Sequence, residues 1–410
     1  MKFLYIDPGT GSMLFTILIS VIGAAIYSLR MLFVKIHSGI LGKKTDITND
    51  KIPFVIYSDD KRYWTIFEPI CREMNKLGKE IVYITASEDD PVFNCGYEYI
   101  KPKCIGKSSA SFANLNYLKA NILLSTTPGL DVYGWKRSKD VDYYVHILHS
   151  AGEVVMYRMF GIDYYDALLL SGDYQIEDVR ALEALRGLPS KELVKVGLPF
   201  MDEMVKRLKE CPTTDNDKRT VLLAPSWGPN AIFNRIGIRI VDLLLETGYH
   251  LIIRPHPQSF ESEKELMDEL MAKYPASDKL EWNRDTDNFE VLKRADILVS
   301  DFSGIIYDFS LVYDKPVIYT NPNADVSLYD AWWLDKPLWK TTALPKLGKE
   351  LTAENIEDIK TMIDACLEDP EYAKGRAEVK SEVWANFGHG TEKTVEYLLN
   401  KYDELTKKED

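Results

Sequence analysis

Short apolar segments alternate with helical stretches along most of this 410-residue chain, in two successive series. Apolar runs of about four to eight residues are typical of strands that are buried on both faces of a parallel sheet. The predicted strands are 52–57, 80–85, 121–126, 142–148, 167–171 and 193–197 in the first series, and 220–225, 250–255, 296–300 and 316–320 in the second. Such alternation predicts βαβ units, so we expect an α/β protein with two Rossmann-like domains that face a cleft.

Ligands of open α/β sheets bind beyond the carboxyl ends of the strands, and two strands of the second series end in residues that suit an anion. The strand 250–255 delivers Arg254 and then His256, an imidazole held between two prolines that keep the backbone extended. The first strand of this series ends at Pro225 and Ser226, on the same edge of the sheet. We therefore expect these four residues to line a binding site for a negatively charged ligand.

The strand 296–300 leads through a polar turn into a predicted helix at 305–313. Free N–H groups and the helix dipole favour an anion there, and a glycine lets the backbone approach it closely. The candidate ligand-binding residues of this turn and helix are Ser300, Asp301, Ser303, Gly304 and Asp308. Serine also caps helices without any ligand, and a carboxylate beside a phosphate must instead orient a hydroxyl, a turn or a cation, so structural roles remain open for these residues.

Composition excludes several classes of function. A formal charge of −13 and a pI near 5.1 argue against a nucleic-acid-binding face, which would be basic. The five cysteines are odd in number and include no C-x-x-C pair, so neither a disulfide framework nor a zinc site is predicted. We expect a reducing compartment, no bound metal and no cofactor. Whether a divalent cation assists the substrate stays open.

The N-terminus departs from this profile. Residues 13–29 carry no charge, which is just long enough to span a bilayer, and Arg30, Lys35, Lys43 and Lys44 follow the apolar run. A signal peptide would carry its positive charge before the apolar core, so we predict a membrane anchor. The positive-inside rule then places the following domains in the cytoplasm of a single-pass protein.

Six motifs, in this order and at this spacing, resemble the CDP-glycerol glycerophosphotransferase family, which includes the teichoic-acid polymerases. The motifs are VHILHS (145–150), VGLPFMD (196–202), LLAPSW (222–227), RPHP (254–257), SDFSGIIYDF (300–309) and KPVIY (315–319). The resemblance implies the GT-B architecture: an anchor at 1–41, an acceptor domain at 42–205, a nucleotide-donor domain at 206–386, and a C-terminal helical segment at 387–410 that packs back on the first domain.

The resemblance also implies roles for two histidines. His149 matches the family's acceptor-side histidine and is the candidate general base, whereas His256 would support the diphosphate of the donor. Strand alternation puts His146 on the opposite face from His149, so one of the two could be a core histidine. The sequence departs from the family at Glu153, where a basic residue is expected, and this acidic side chain would repel a polyanionic acceptor.

The expected function is transfer of glycerol phosphate, or a related polyol phosphate, from a CDP-linked donor such as CDP-glycerol. The expected acceptor is a lipid-linked glycan at the membrane, in the synthesis of a cell-wall polymer of the teichoic-acid type, and no nucleic acid is involved. Two alternatives remain on the same fold: a nucleotide-sugar glycosyltransferase, and a catalytically silent nucleotide-binding scaffold of a surface-polysaccharide assembly.

Overall fold

The computed structural model describes residues 51–211, 218–285, 287–321 and 325–407, together with residues 21, 22, 25 and 28. Two parallel sheets follow one another along the chain and each forms the centre of an α/β domain. The two domains resemble the GT-B architecture that the sequence predicts.

The first sheet has seven strands in the order β3-β2-β1-β4-β5-β6-β7, all of them parallel. The strands are β1 (Ile52–Ser58), β2 (Ile81–Thr85), β3 (Ile100–Cys104), β4 (Lys119–Ser125), β5 (Asp140–Ile147), β6 (Ala167–Leu170) and β7 (Glu192–Lys195). The strand order reverses between β1 and β4, which is the position where open α/β sheets leave a crevice for ligands.

The second sheet has six parallel strands in the order β10-β9-β8-β11-β12-β13. The strands are β8 (Thr220–Ala224), β9 (His250–Ile253), β10 (Leu280–Trp282), β11 (Ile297–Ser300), β12 (Val317–Tyr319) and β13 (Gly348–Glu350). The order reverses between β8 and β11, so this sheet has its own crevice at the end of those strands.

Helices connect the strands and cover both faces of each sheet. In the first domain these are α1 (Trp64–Lys76), α2 (Ser109–Leu115) and α3 (Tyr174–Arg186), followed by the connecting helix α4 (Pro199–Glu210). The later helices are α5 (Ile232–Arg235), α6 (Arg239–Glu246), α7 (Ser259–Ser262), α8 (Lys264–Lys273), α9 (Phe289–Arg294), α10 (Ile305–Val312), α11 (Lys340–Leu347), α12 (Ile359–Glu368), α13 (Pro370–Val383) and α14 (Gly390–Thr406).

Each sheet is buried on both faces. Phe54 and Ile56 of β1 pack into the core on one side, and Val55 and Tyr57 pack into the core on the other. The strands of the second sheet divide in the same way between two further apolar clusters. Burial on both faces explains why the strands read as continuous apolar runs rather than as alternating ones.

The last helix, α14, returns to the first domain, where Val395 and Leu398 join the core beside α1. The carboxylate of Asp202 fixes this return, since it accepts hydrogen bonds from the backbone N–H groups of Gly388 and Gly390 at 2.7 and 2.8 Å. A domain boundary at residues 205 and 206 falls inside the continuous helix α4.

The elements differ from the sequence prediction in a few places. The apolar stretch 232–247 forms two short helices and not one, because Gly237 adopts a φ of +87° between α5 and α6. The edge strands β3, β10 and β13 are absent from the prediction; β10 and β13 have only three residues each.

The predicted membrane span at 13–29 lies outside the described residues, apart from four helical positions within it. In the part of the chain that the structure describes, no helix is both long enough and apolar enough to cross a bilayer.

Candidate functional site

A cavity of about 380 Å³ lies where the carboxyl edges of the two sheets face each other. The first domain contributes the loop after β5, and the second contributes the loops after β8, β9, β10 and β11. Its lining residues are His149, Ser150, Ala224, Pro225, Arg254, Pro255, His256, Pro257, Asn288, Ser303, Gly304, Ile305 and Asp308. Seven of the ten residues predicted for catalysis and donor binding therefore meet in one place.

The His149 imidazole follows the end of β5 and is held by two hydroxyl groups. Its Nδ1 lies 3.1 Å from Oγ1 of Thr126 and 3.3 Å from the hydroxyl of Tyr157. The ring also packs against Tyr63, with 5.3 Å between the ring centroids. These contacts engage Nδ1 and leave Nε2 as the ring atom that is free to act on a substrate.

His146 does not lie apart from His149, as strand alternation predicts. Its Nε2 is 3.1 Å from the hydroxyl of Tyr157, the same hydroxyl that His149 contacts. The prediction of opposite faces is wrong because β5 ends at Ile147 and the chain leaves the strand before residue 149. His146 is completely buried, so it is the core histidine of the pair.

Burial sets the charge of both rings. The pKa of His149 is lowered to about 4, first because burial disfavours the cation and second because Arg62 is nearby. Burial and the neighbouring His149 lower the pKa of His146 to about 3. Both imidazoles are therefore neutral at neutral pH, which is the state that a general base requires.

His256 is held in one tautomer. Its Nδ1 accepts a hydrogen bond from the backbone N–H of Gln258 at 3.1 Å, and burial and Arg62 lower its pKa. A neutral ring whose Nδ1 accepts must carry its proton on Nε2. Nε2 of His256 is thus a hydrogen-bond donor that faces the cavity.

The N-terminus of α10 lies at the place where the sequence predicts an anion site. The backbone N–H groups of Ser303 and Gly304 donate to no acceptor within the described ranges. The Ser303 hydroxyl lies 3.4 Å from the N–H of Ile305, a weak cap that a ligand oxygen can replace. Unpaired N–H groups at the start of a helix favour a phosphate.

Arg254 is the cation of this cavity. Its side chain is half-buried and donates a hydrogen bond to the Asn283 side chain, which in turn donates to Asp285 at 2.8 Å. This chain of contacts holds the guanidinium at the end of β9, where it can meet a diphosphate.

Asp308 lies one turn into α10 and lines the cavity. Burial raises the pKa of this carboxyl to about 7. A large part of the population is therefore uncharged near neutral pH, and a neutral carboxyl donates a hydrogen bond where a carboxylate would repel a phosphate.

Three predicted donor-binding residues do not line the cavity, and this corrects the sequence prediction. The Ser300 hydroxyl is fully buried and donates to the carbonyl oxygen of Ala224 at 2.6 Å. Asp301 is also fully buried, and its Oδ2 accepts from the N–H groups of Ser226 and Ile232 at 2.9 and 3.2 Å. Together with buried Ser226, these side chains tie the loop after β8 to the end of β11. They support the cavity without lining it.

The expectation that Glu153 repels a polyanionic acceptor is also corrected. Its Oε1 accepts a hydrogen bond of 2.9 Å from the backbone N–H of Lys340 in the second domain, and burial raises its pKa. This carboxyl bridges the domains instead of meeting an acceptor, so it gives no reason to exclude a polyanionic acceptor.

Sequence reasoning missed Asn288, Ser150 and Tyr157. Asn288 stands immediately before α9, and an asparagine at the start of a helical run is a signal that the sequence offers. Nothing in the sequence marks Tyr157, because it reaches the histidines through a loop that the pattern of strands does not describe.

Among the residues that the structure describes, no three histidine, cysteine, aspartate or glutamate side chains are grouped so that they could hold a metal ion.

Two parallel-sheet domains facing a cleft, with a helix N-terminus on one side and a half-buried histidine on the other, define an enzyme with a GT-B-like fold. The model of the family described as CDP-Glycerol:Poly(glycerophosphate) glycerophosphotransferase matches residues 163–332. Over these residues the chain resembles that family, and the match supports a CDP-glycerol glycerophosphotransferase-like transferase.

The solved structures agree on the fold. A variant of the wall teichoic acid polymerase TagF soaked with CDPG is similar with a TM-score of 0.56 and 14% identity, covering 92% of this chain and 98% of that chain. The UDP-GlcNAc 2-epimerase from Neisseria meningitidis, bound to UDP-GlcNAc, is similar with a TM-score of 0.53 and 13% identity, covering 86% and 100%. At such identities the likeness establishes the fold alone. No curated protein matches the sequence.

Proposed function

We propose that the protein transfers glycerol phosphate, or a related polyol phosphate, from a CDP-linked donor to a hydroxyl group of a lipid-linked glycan acceptor. The observation that carries this proposal is the shared cavity: His149 of the first domain and the Ser303–Gly304 turn of the second line the same 380 Å³ space. A base and a phosphate site on opposite walls are what transfer to a hydroxyl requires.

The donor diphosphate would lie against the N-terminus of α10. The free N–H groups of Ser303 and Gly304 face its oxygens, Arg254 supplies positive charge, and Nε2–H of His256 donates to the bridging or CMP-side oxygen. Each of these groups stabilises the negative charge that moves onto CMP as it leaves.

The acceptor hydroxyl would be activated by Nε2 of His149. When Nδ1 carries the ring proton and donates it to Thr126 or Tyr157, the lone pair of Nε2 is free to take the acceptor proton. The acceptor oxygen then forms a bond to the β-phosphorus, and the bond from that phosphorus to the bridging oxygen breaks. CMP leaves with the bonding electron pair.

We also propose that residues 13–29 anchor the protein to the cytoplasmic side of a membrane. The uncharged run and the cations after it support this placement. A surface of exposed aromatic and apolar side chains near the domain junction is compatible with a lipid interface, where tryptophan and tyrosine are common. Its members are Tyr133, Phe160, Tyr164, Leu328, Trp332 and Trp333.

Deletion of residues 1–40 tests the anchor. We expect the shortened protein to leave the membrane fraction while it still binds the donor, because every residue of the cavity lies after position 148. A shortened protein that still floats with lipid in a density gradient would assign membrane binding to another surface.

A donor panel tests the transferase proposal. Purified full-length protein is incubated with CDP-glycerol, CDP-ribitol and UDP-sugars in the presence of membranes that contain acceptor, and the released nucleotide is measured. We expect CMP from a CDP-polyol and no UDP from the sugars. Release of UDP would make the protein a glycosyltransferase, and donor binding without any release would make it a scaffold.

A further inference from the structure

Three strand ends of the first domain meet beside His149. In the sheet, β1 pairs with β4 and β4 pairs with β5, so the residues after these strands are neighbours. The segment 59–63 follows β1, Thr126 and Thr127 follow β4, and His149 follows β5. This edge is the crevice of the first sheet, and none of the donor-binding groups described above belongs to the segments after β1 and β4.

Hydrogen bonds link the three ends in sequence. Oγ1 of Thr127 donates to Oδ1 of Asp59 at 2.9 Å, and Oγ1 of the preceding Thr126 contacts His149. The Thr127 carbonyl oxygen is held by the Tyr165 hydroxyl at 2.5 Å. The tyrosine ring of residue 63 closes the group by packing against the His149 imidazole. The carboxyl of Asp59 is therefore linked to the base through the adjacent residues Thr126 and Thr127.

The second oxygen of this carboxyl is available. Oδ2 of Asp59 accepts no hydrogen bond from another side chain in the described part of the chain. The residue is half-buried, and burial raises its pKa. An acceptor that no other side chain occupies can receive a hydrogen bond from a ligand hydroxyl.

The charges around this group balance. Lys61 pairs with Asp89, Arg62 lies 3.6 Å from Asp60, and Lys107 lies 3.5 Å from the same carboxylate. In this segment and its ion-pair partners, three cations thus accompany three carboxylates when Asp59 is included. A polyanionic ligand needs a surplus of positive charge, and this segment supplies none.

We propose that Asp59, oriented by Thr127, forms the acceptor subsite and binds a hydroxyl next to the one that His149 deprotonates. The ligand is a neutral diol of a sugar or polyol, not a phosphorylated polyol. Oδ2 of Asp59 accepts a hydrogen bond from the neighbouring hydroxyl, which holds the reacting oxygen beside Nε2 of His149. This inference rests on the proposed function, because it assumes that His149 acts on an acceptor hydroxyl.

The test compares acceptors and variants of the full-length protein with CDP-glycerol as donor. Glycerol and methyl glycosides are the neutral probes, glycerol 3-phosphate is the anionic probe, and CMP release is followed as a function of probe concentration. We expect saturable stimulation by a neutral probe and at least about 10-fold weaker stimulation by glycerol 3-phosphate. Stimulation by glycerol 3-phosphate alone, or by none of the probes, would overturn the proposal.

The variants separate binding from chemistry. Asp59→Asn should raise KM for the neutral probe by about 10-fold, the usual loss for a hydrogen bond to a charged group, while donor Kd stays within about twofold. Thr127→Val should have a similar effect and Thr127→Ser should restore the parent KM, because Thr127 acts as a positioning residue. Asp140→Asn is the matched control, because this exposed aspartate lies at the other end of β5 and its loss should leave KM unchanged.

Donor calorimetry keeps the two proposals apart. If CDP-glycerol binds and Asp59→Asn leaves the acceptor KM unchanged, the subsite is wrong and the proposed function stands. If CDP-glycerol does not bind to the parent protein, the proposed function itself fails. A folding defect in Asp59→Asn would be seen as lost donor binding, and the Thr127 pair then decides the question.

Discussion

The hydroxyl of Tyr157 lies 3.3 Å from Nδ1 of His149, and the same oxygen lies 3.1 Å from Nε2 of His146. One phenol therefore joins the cavity histidine to a histidine in the core. Nδ1 of His146 has no hydrogen-bond partner, so the tautomer of this buried ring is set mainly by the phenol. Through it, the core influences which nitrogen of His149 carries the proton.

Tyr157→Phe should therefore weaken His149 as a base. Loss of the oxygen that accepts from Nδ1–H removes a contact that is stronger in the imidazolium, so the pKa of His149 falls further. We expect kcat to fall about 10-fold at pH 7, the equivalent of one weakened hydrogen bond. Tyr164→Phe, on an exposed tyrosine, is the control. An unchanged kcat in Tyr157→Phe would mean that the hydroxyl of Tyr157 does not contribute to catalysis.

His256→Ala should impair donor binding and catalysis together. The Nε2–H donor is lost, and we expect donor Kd to rise by about 10-fold, in line with a hydrogen bond to a charged group. His250 stands at the other end of the same strand, outside the cavity, so His250→Ala is the control. Titration calorimetry measures the affinity. A His256 variant with parental donor affinity but low kcat would mean that this ring acts in the chemical step and not in donor binding.

Donor affinity should depend on pH through Asp308. Its folded-state pKa of about 7 lies above the ordinary value, so the neutral carboxyl is present below pH 7 and the carboxylate forms as the pH rises through it. The carboxylate repels a diphosphate, and we expect donor Kd to rise about 10-fold between pH 6 and pH 8.5. Asp308→Asn should bind with little change over this range, whereas Asp268→Asn, on an exposed face of α8, should behave as the parent. A parent Kd that is flat with pH would contradict this role.

The same residue makes stability depend on pH. A carboxyl whose pKa is raised on folding stabilises the fold below its unfolded pKa, and that contribution is lost as the pH rises through about 7. Asp308→Asn should thus raise Tm at pH 8.5 relative to the parent, by at least about 2 °C, and by less at pH 5. Thermal unfolding at the two pH values measures the difference. An equal increase in Tm at both pH values would mean that the carboxyl of Asp308 is in contact with solvent.

Two serines of one motif should behave differently. Ser303→Ala should weaken donor binding by about 1–2 kcal/mol, because Ser303 lines the cavity. Ser300→Ala should lower the free energy of unfolding by about 1 kcal/mol, because its hydroxyl donates to Ala224 inside the protein. Calorimetry with CDP-glycerol and denaturant unfolding separate the two effects. The reverse pattern would mean that the donor lies deeper than the cavity described here.

Much of this arrangement can be predicted from local patterns in the sequence. Apolar runs buried on both faces predict the strands of each sheet, and the ends of β9 and β11 predict Arg254, His256 and the Ser303–Gly304 turn. The structure brings these residues together because the carboxyl ends of parallel strands lie on one edge, whatever the details of the loops.

The side-chain contacts in the loops are not predicted, because they depend on the direction that each side chain takes after a strand has ended. Nothing in the sequence shows that Asp301 folds back to the N–H of Ser226, or that Glu153 crosses to the second domain. Strand alternation also fails for His149, because it lies two residues beyond the last residue of β5. The short edge strand β13 is beyond prediction because three residues carry no period.

His149 gives the most direct test of the central claim. In the parent enzyme, the pH profile of kcat/KM reports the free enzyme, and its acidic limb should lie near pH 4, below the ordinary imidazole range, because only the neutral ring accepts the acceptor proton.

The decisive measurement is CMP release from CDP-glycerol by His149→Ala, with the donor Kd measured in parallel. We predict a loss of about 10²–10⁴ in kcat with an acceptor present, a donor Kd within about twofold of the parent, and no acidic limb near pH 4. A His149→Ala protein that releases CMP at the parental rate in the presence of acceptor would contradict the role of His149 as the base.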